Sequence, residues 1–322
     1  MQRADTNQHY VSRFLLRGFH GASEAQIWAF DKLSGKSFST SIDAVASENG
    51  FYNIAGSPAL DEVIGKIENA TAPIVAEIRA RKALTGLDDD KRIWLSGFTA
   101  LQLVRTKAYS ERTQAMMRQL TQIVTHASGG KLSKKVRKQL GLDASASGHE
   151  KTLSTILGLT RVALAELLGK TLVLYRSEPS SPFWIGDSPV ALQNTINPGD
   201  GIRGTLGLGV PGIEVYLPIS SELVLAHMCP SIAVAYTGVQ DEARRMGFIH
   251  AHAEPYLQAL KNGSAILLSK EYVTFQRALQ VGCAERFVYS PVNDFDEARE
   301  MLEENSKLKT GPRYGGPTFF PS

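Results

Sequence analysis

Cysteine is scarce in this sequence, and its scarcity excludes two classes of scaffold. Only two occur among 322 residues, Cys229 and Cys283, and neither has a neighbouring C-x-x-C partner. A disulfide framework or a zinc finger needs several cysteines at short spacings. Both thiols are therefore interpreted as buried apolar residues.

Long apolar runs and a strong excess of charge are also missing. No uninterrupted apolar run reaches the roughly 18 residues that span a bilayer, and the opening MQRADTNQHY lacks the apolar region of a signal peptide. The formal net charge is only +3, well short of a dedicated nucleic-acid coat. We therefore expect a cytoplasmic protein with no membrane partner, and the sequence leaves its oligomeric state open.

The composition that remains is that of a globular chain able to bury a core. Hydrophobic residues make up 43% and charged residues 21%. Because no linker rich in Pro, Ser and Gly divides the chain, a single compact domain over residues 1–322 is predicted. Residues 128–150, which join a basic stretch to a Ser/Gly-rich one, are expected to form an exposed excursion, and residues 305–322 a poorly ordered tail.

Hydrophobic periodicity places helices and strands along the chain. Helices are predicted over residues 9–19, 60–84, 88–126, 151–168, 241–260, 272–287 and 294–304. Strands are predicted as a hairpin over residues 27–38 and singly over 50–54, 171–175, 183–186, 212–217 and 222–227. The predicted class is α+β: helix-rich, with an N-terminal β-hairpin and a mixed or antiparallel sheet in the C-terminal half.

Two details of this pattern bear on the site. A helix over residues 9–19 would place His9, Arg13 and Arg17 on one face. The helix over residues 60–84 contains Pro73, which should kink or divide it, because proline cannot donate the backbone hydrogen bond of a helix interior.

Short signatures follow one another in a characteristic order from Asn7 to Ser290. They are NQHYVSRFLLRGF at 7–19, IWAFDK at 27–32, the segment 48–52, Glu68, QLVRT at 102–106 with Arg112, IGDSPV at 185–190, LPIS at 217–220 and AERFVYS at 284–290. In this order they resemble the bacterial domain-of-unknown-function family DUF4238. Ser12, Lys107 and Ser188 stand where that family typically has Pro, Pro and Asn. The resemblance identifies residues better than it identifies a reaction.

The side chains in these signatures supply the parts of a hydrolytic site. A base that titrates near neutrality, several carboxylates and two guanidiniums are what the hydrolysis of a phosphoester or similar anionic substrate requires. The candidates are His9, Arg13, Glu48, Glu68, Arg105 and Asp187. The alternative interpretation is structural: Asp187 would cap a turn, and the arginines and glutamates would form a network of ion pairs.

Weaker patterns add little to this set. Arg245 and His250 have the R-x4-H spacing of a class of helical ribonucleases, but five residues along a helix do not align two side chains well. No spacing such as H-x3-H or H-E-x-x-H fixes two metal ligands, so a divalent metal cofactor is left open. The basic stretch Lys131–Lys138 would contact a phosphate backbone or form an ordinary solvated face.

Two hypotheses of different class follow. The first is a bacterial hydrolase acting on nucleic acid or a nucleotide, in defence or toxin-like biology, with His9 as general acid/base. In it Arg13 and Arg105 stabilise the anionic transition state, and Asp187 with Glu48 or Glu68 orients His9 or holds a divalent ion. The second is a non-enzymatic binding or regulatory module in which these polar residues form a buried scaffold. A site requires an open cleft, whereas a scaffold is closed and paired.

Overall fold

The computed structural model describes residues 7–49, 58–109, 148–195 and 206–312. Its strands are β1 (Asn7–His9), β2 (Gln26–Asp31), β3 (Lys36–Ser41), β4 (Ser47–Asn49), β5 (Thr171–Arg176), β6 (Ile185–Gly186), β7 (Ala191–Asn194), β8 (Ile213–Ser220), β9 (Leu223–Met228), β10 (Ile266–Leu267) and β11 (Phe287–Ser290). Its α-helices are α1 (Arg13–Leu16), α2 (Pro58–Arg81), α3 (Asp89–Val104), α4 (Gly148–Leu168), α5 (Pro230–Arg245), α6 (Ala253–Asn262), α7 (Lys270–Cys283) and α8 (Asp296–Glu304). The protein is α+β, as the pattern of hydrophobic periods predicted.

A five-stranded sheet occupies the C-terminal half, in the order β10-β5-β9-β8-β7. The β10–β5 pair is parallel and the other pairs are antiparallel, so the predicted mixed sheet is confirmed. Every residue of β9 is buried, and so is every residue of β8 before Ser220. A strand buried on both faces is consistent with helices packing on each side of this sheet.

The predicted N-terminal hairpin is confirmed as β2 and β3, and it belongs to a four-stranded sheet of order β3-β2-β11-β6. Side chains alternate between its two faces, as they do along any strand. Ala29 and Tyr289 lie in the main hydrophobic cluster, whereas Phe30 and Val288 belong to a smaller cluster with Trp184. The hairpin thus pairs, through β2, with β11, a strand that lies near the other end of the described chain.

The first segment differs from its prediction. Residues 7–9 form strand β1, paired with β4, and the helix begins only at Arg13 before continuing as a 3-10 turn over Arg17–Phe19. His9 therefore does not share a helix face with Arg13 and Arg17. The physical reason is that the strand register continues into Tyr10, whose amide donates to the carbonyl of Ala46 (2.9 Å).

The helix predicted from residue 88 to about 126 begins as expected, because Asp88 accepts a hydrogen bond from the amide of Lys91 (2.7 Å) and caps it. It ends at Val104, not near residue 126. Thr106 Oγ1 accepts from the amide of Tyr109 (3.4 Å), the pattern of an N-cap, so a new helical turn begins there. This interruption lies inside the QLVRT signature.

Other predicted boundaries shift in smaller ways. The helix through Pro73 is continuous in α2. The single helix predicted over residues 241–260 is two helices, α5 and α6, because Gly247 takes a left-handed conformation (φ +82°) between them. The helix predicted over residues 272–287 ends at Cys283, and Phe287 already begins strand β11. The strand predicted at residues 50–54, the excursion through residue 147 and the tail beyond residue 312 lie outside the described residues.

Among the described helices, none combines the length and the apolar character needed to cross a membrane.

Candidate functional site

Arg105 lies at the C-terminal end of α3 and is completely buried, with its side chain at 0% exposure. Its Nε donates to the carbonyl of Tyr10 (3.1 Å) and its Nη2 donates to Ser12 Oγ (2.6 Å). Nη2 also forms an ion pair with Glu68 (2.8 Å). A buried guanidinium with these partners is held in one position, facing the first signature of the chain.

Gln102 and Ser12 complete this closed network. The amide of Gln102, one turn earlier on α3, donates to the Tyr10 carbonyl (2.7 Å). Ser12 Oγ lies 2.6 Å from Glu68 Oε1. We call the set Tyr10, Ser12, Glu68, Gln102 and Arg105 the α3 clamp. It fixes the backbone of the opening signature against two helices.

His9 and Arg13 lie beside the clamp, nearer to solvent. His9 is half-buried, and burial lowers the pKa of its imidazole, with the charge of Arg13 acting in the same direction. The charges of Asp43 and Glu68 oppose that shift, so these side chains lie within electrostatic range of one another. Arg13 forms an exposed ion pair with Asp43 (3.4 Å).

Asp187 follows β6 directly and is 3% exposed. Its Oδ1 accepts from the amide of Glu285 (2.6 Å), and its Oδ2 accepts from the amides of Arg286 and Phe287 (2.9 Å each). Burial raises the pKa of this carboxyl, while the three amides and the charge of Lys32 act against the rise. The donors are the two residues before β11 and its first residue, about a hundred residues away, and they do not belong to a local turn.

A cavity of about 400 Å³ lies near these residues, on one face of the four-stranded sheet. Ala29 lines this cavity. It lies between its strand partners Phe38 and Tyr289, and its small methyl group leaves space between their larger side chains. The cavity walls include Tyr10, Phe38, Glu48, Lys107, Asp187, Arg286, Phe287 and Tyr289. A concave apolar space with a few polar groups is the usual form of a ligand site.

Aromatic rings and one arginine line the sheet side of the cavity. Phe38 is 44% exposed, and its ring meets the ring of Phe287 edge to face at 6.4 Å. The guanidinium of Arg286 lies 4.8 Å from the centre of the Phe287 ring. It also makes two hydrogen bonds to Asp31 (3.0 and 2.8 Å), which hold it in place.

The cavity lining also includes an exposed ion pair between Lys107 and Glu48. Lys107 Nζ lies 2.5 Å from Glu48 Oε1, and the two side chains are 44% and 43% exposed. Both groups are therefore available to a ligand as well as to each other. The cavity lining thus offers one exposed cation and one exposed carboxylate in addition to the aromatic rings.

Of the six residues that the sequence singled out, the structure places two at the cavity: Glu48 and Asp187. Arg105 and Glu68 lie in the α3 clamp, with His9 and Arg13 beside it, and none of these four lines the cavity. The two groups of residues meet at α3: Arg105 turns into the clamp, and Lys107, two residues later, faces the cavity.

Sequence reasoning missed Phe38, Lys107 and Arg286 as site residues. Phe38 was visible as an apolar residue in the hairpin, but which face it occupies depends on the pairing of β11 with β2. Lys107 appeared only as a departure from the family pattern. Arg286 lay within a signature, yet nothing local shows that it packs over a neighbouring ring.

The weaker sequence patterns, namely a metal site, the R-x4-H spacing and the basic stretch, are not supported as sites by the described residues. Within the described residues, no group of three or more His, Cys, Asp or Glu side chains is placed to hold a metal ion. Arg245 ends α5, whereas His250 lies in the following loop, so they do not share a helix face. The basic stretch at residues 131–138 lies outside the described residues.

Comparison with known proteins gives one match. No curated protein and no solved structure is similar enough to this chain to count as a match. One family model does match, described as "Protein of unknown function (DUF4238)", and it covers residues 7–291. That span includes the clamp, the cavity walls from Tyr10 to Tyr289 and all three sheets of the described residues. The chain belongs to the DUF4238 family.

Proposed function

We propose that this protein is a binding module for a small ligand of the nucleotide class, held in the cavity on the four-stranded sheet. The proposal rests on one observation: several of the sequence signatures contribute residues to the same cavity. Residues from separate signatures, Tyr10, Glu48, Lys107, Asp187 and the 285–289 segment, meet around one open cavity. A scaffold alone does not require an open space at the point where these segments meet.

The walls suit a flat ring that carries an anionic group. The exposed ring of Phe38, beside Phe287, offers a stacking surface on the sheet side, and stacking of a base on an aromatic side chain contributes about 1–3 kcal/mol. Lys107, which also lines the cavity, offers a flexible and exposed ammonium to a phosphate. The cavity volume, about 400 Å³, lies in the range of small-molecule sites.

The closed polar groups support a binding role more than catalysis. Three backbone amides occupy the Asp187 carboxylate, and its partners at the start of β11 also carry the cavity wall. Arg105 is engaged in the α3 clamp through Nε and Nη2, although its buried Nη1 has no hydrogen-bond partner among the described residues. A side chain that holds the backbone in this way positions the cavity and is not open to a substrate.

Hydrolysis of the bound ligand is the second candidate function. It is favoured by one observation: Glu48 presents a solvent-exposed carboxylate at the cavity rim. An exposed carboxylate there can accept a proton from an attacking water or bind a divalent ion. The nucleic-acid or nucleotide hydrolase predicted from the sequence takes this form, with Glu48 rather than Asp187 as the accessible carboxylate.

The binding proposal is tested by titrating the full chain with ATP, GTP, CTP and UTP in a calorimeter. Loss of stacking or of the cation should weaken binding in Phe38→Ala and Lys107→Ala by roughly tenfold. Two matched controls lie outside the cavity walls: Phe248→Ala, at 49% exposure, and Lys82→Ala, whose ammonium lies 2.5 Å from Glu222. Both controls should bind as the wild type does.

Binding by none of the four nucleotides, or equal weakening in the cavity and control variants, contradicts the proposal. Hydrolysis is measured on the same samples as phosphate release with and without magnesium or manganese. If the protein is a hydrolase, Glu48→Gln should abolish release while binding persists, and His9→Ala tests the base predicted from the sequence. If a nucleotide binds but no phosphate is released under any condition, the binding-module proposal stands and hydrolysis of these nucleotides is excluded.

A further inference from the structure

A second cavity, of about 340 Å³, lies at the end of the five-stranded sheet where β5 begins. Its walls are the loop over residues 84–87 between α2 and α3, the first turn of α3, the start of β5 and the C-terminal turn of α6. None of its lining residues belongs to the cavity on the four-stranded sheet. The two cavities are therefore separate.

The polar side chains of this second cavity are either cationic or neutral. They are two cations, two hydroxyls and one amide: Arg92, Lys261, Thr85, Thr171 and Asn262. The aspartates at residues 88–90 precede Arg92, but the described lining contains no carboxylate. Within the part of the chain that the structure describes, neither the Arg92 guanidinium nor the Lys261 ammonium makes a hydrogen bond or an ion pair. Both cations are therefore open to an anionic ligand.

The packing of α3 on the sheet places Arg92 at this cavity. Ser96, one turn later on α3, lies on the same helix face as Arg92, and its Oγ is 3.3 Å from Nε2 of His227. His227 pairs with Leu172 of the neighbouring strand, and Leu172 lines the cavity. Because directly paired residues point to the same face of a sheet, α3 covers both of them. Arg92 is thus held beside the cavity by a fixed helix.

The imidazole of His227 does not offset the charge of Arg92. His227 is completely buried, and its Nδ1 has no hydrogen-bond partner among the described residues. Burial lowers the pKa of this imidazole to about 3, and the charges of Lys170 and Arg92 act in the same direction. The ring is therefore neutral near pH 7, and the two cations leave a positive local field. A field of this sign attracts an anion.

The rest of the lining is apolar and is held in position by the backbone. It consists of aliphatic side chains: Leu84, Leu87, Leu172, Ala259 and Leu260. The amide of Leu84 donates to the carbonyl of Gly263 (2.7 Å), which ties the loop to the end of α6. Gly263 is left-handed (φ +69°), and a Cβ there would lie 3.0 Å from the amide nitrogen of Thr85. Glycine permits this close approach, so the two apolar walls stay together.

We propose that this cavity binds a small organic carboxylate with an apolar body. The planar guanidinium of Arg92 matches a carboxylate through two parallel hydrogen bonds, and Lys261 supplies a second cation. The aliphatic side chains cover the remainder of the ligand. A volume of about 340 Å³ suits a small molecule. This inference does not depend on the nucleotide proposed for the other cavity.

The test is ligand-observed saturation-transfer NMR on the full chain. Benzoate and isovalerate are the probes, and benzamide and isovaleramide are their uncharged counterparts. Both carboxylates should bind with a Kd on the order of 1 mM. The amides should bind about tenfold more weakly, because they lack the charge that the guanidinium recognises. Acetate should also bind about tenfold more weakly, because it lacks the apolar body.

Two cavity variants and two matched surface variants locate the binding. Arg92→Gln should weaken benzoate binding about tenfold, because it removes the charged hydrogen-bond donor. Lys261→Gln should weaken it about threefold, since Lys261 is exposed and its charge is screened by salt. Arg161→Gln and Lys307→Gln remove exposed cations outside the cavity and should leave the affinity unchanged.

Three results overturn the proposal: no binding of either carboxylate, equal affinity for benzoate and benzamide, or equal weakening in the cavity and surface variants. Inorganic phosphate that displaces benzoate at equal concentration would also overturn it, because the site would then recognise phosphate. Lys107→Ala, which alters the other cavity, should leave benzoate binding unchanged, so the two proposals fail independently. The melting temperature of Arg92→Gln establishes that weaker binding is not a consequence of altered folding.

Discussion

The α3 clamp and the cavity adjoin in the structure, yet polar side chains are buried in the clamp and exposed at the cavity rim. In the clamp, Arg105 is completely buried and bonded to backbone and side-chain oxygens. At the cavity rim, Lys107, only two residues later, is 44% exposed and pairs with the exposed carboxylate of Glu48. The difference teaches that residues of one signature serve different purposes. A signature identifies a region of the fold and not the role of each residue in it.

Asp187 is a buried and hydrogen-bonded residue that helps to hold the wall of the open cavity in place. Its side chain lines the cavity, yet both carboxylate oxygens are bound to amides at the start of β11. That strand carries Phe287 and Tyr289, which form the aromatic side of the cavity. The carboxylate therefore determines where the wall stands. The substitutions below separate residues that hold the walls from residues that would contact a ligand.

The largest effect is expected from Asp187→Ala. The substitution leaves three buried amides without an acceptor, so the free energy of unfolding should fall by about 4 kcal/mol. Urea denaturation followed by circular dichroism measures the change. Asp187→Asn, which keeps one acceptor oxygen, should lose less. A stability within about 1 kcal/mol of wild type for Asp187→Ala would show that this carboxylate does not hold β11.

A smaller loss is expected from Arg105→Ala, which removes the centre of the α3 clamp. The free energy of unfolding should fall by about 3 kcal/mol, because Glu68 and the Tyr10 carbonyl lose a buried donor. Arg13→Ala is the matched control: its ion pair with Asp43 is exposed on both sides, at 57% and 69%, so it should change stability by less than about 0.5 kcal/mol. Equal losses in the two variants contradict the division into clamp and surface.

The smallest effect on stability is expected from Lys107→Ala. Its ion pair with Glu48 is exposed, and such pairs contribute about 0–1 kcal/mol. Lys82→Ala removes a similarly exposed pair with Glu222 and should have the same effect on the melting temperature. Only ligand affinity should distinguish the two. A large destabilisation in Lys107→Ala alone would make Lys107 part of the scaffold and would remove it from the proposed ligand site.

Local sequence patterns anticipated a good part of the fold. The hairpin of β2 and β3 followed from two apolar runs around a Gly-containing turn. The start of α3 followed from three aspartates at residues 88–90, where one of them caps the helix. The position of Asp187 at the end of an apolar strand was also predicted. All of these depend on interactions within a few residues, which a sequence shows directly.

Other features failed for an equally physical reason. One continuous helix was predicted over residues 88–126, but α3 ends at Val104. The periodicity of apolar residues continues past this break, where Thr106 accepts the hydrogen bond that begins a new helical turn. Residues 110–126 lie outside the described residues. His9 was placed on a helix because its strand partner, Ser47, lies far away in the sequence. A pattern read over a short window cannot register partners at such separations.

Residue chemistry and local spacing were enough to establish the α+β class, the order of the signatures and a set of polar residues worth attention. Only the tertiary structure decided that Arg105 and Asp187 are buried and bonded, that Glu48 and Lys107 face solvent, and that Phe38 and Phe287 share a wall. Burial and pairing depend on segments that lie tens to hundreds of residues apart, such as Glu48 with Lys107, Asp187 with Phe287 or Phe38 with Phe287. Long-range packing selects those partners, and packing is a property of the folded chain as a whole.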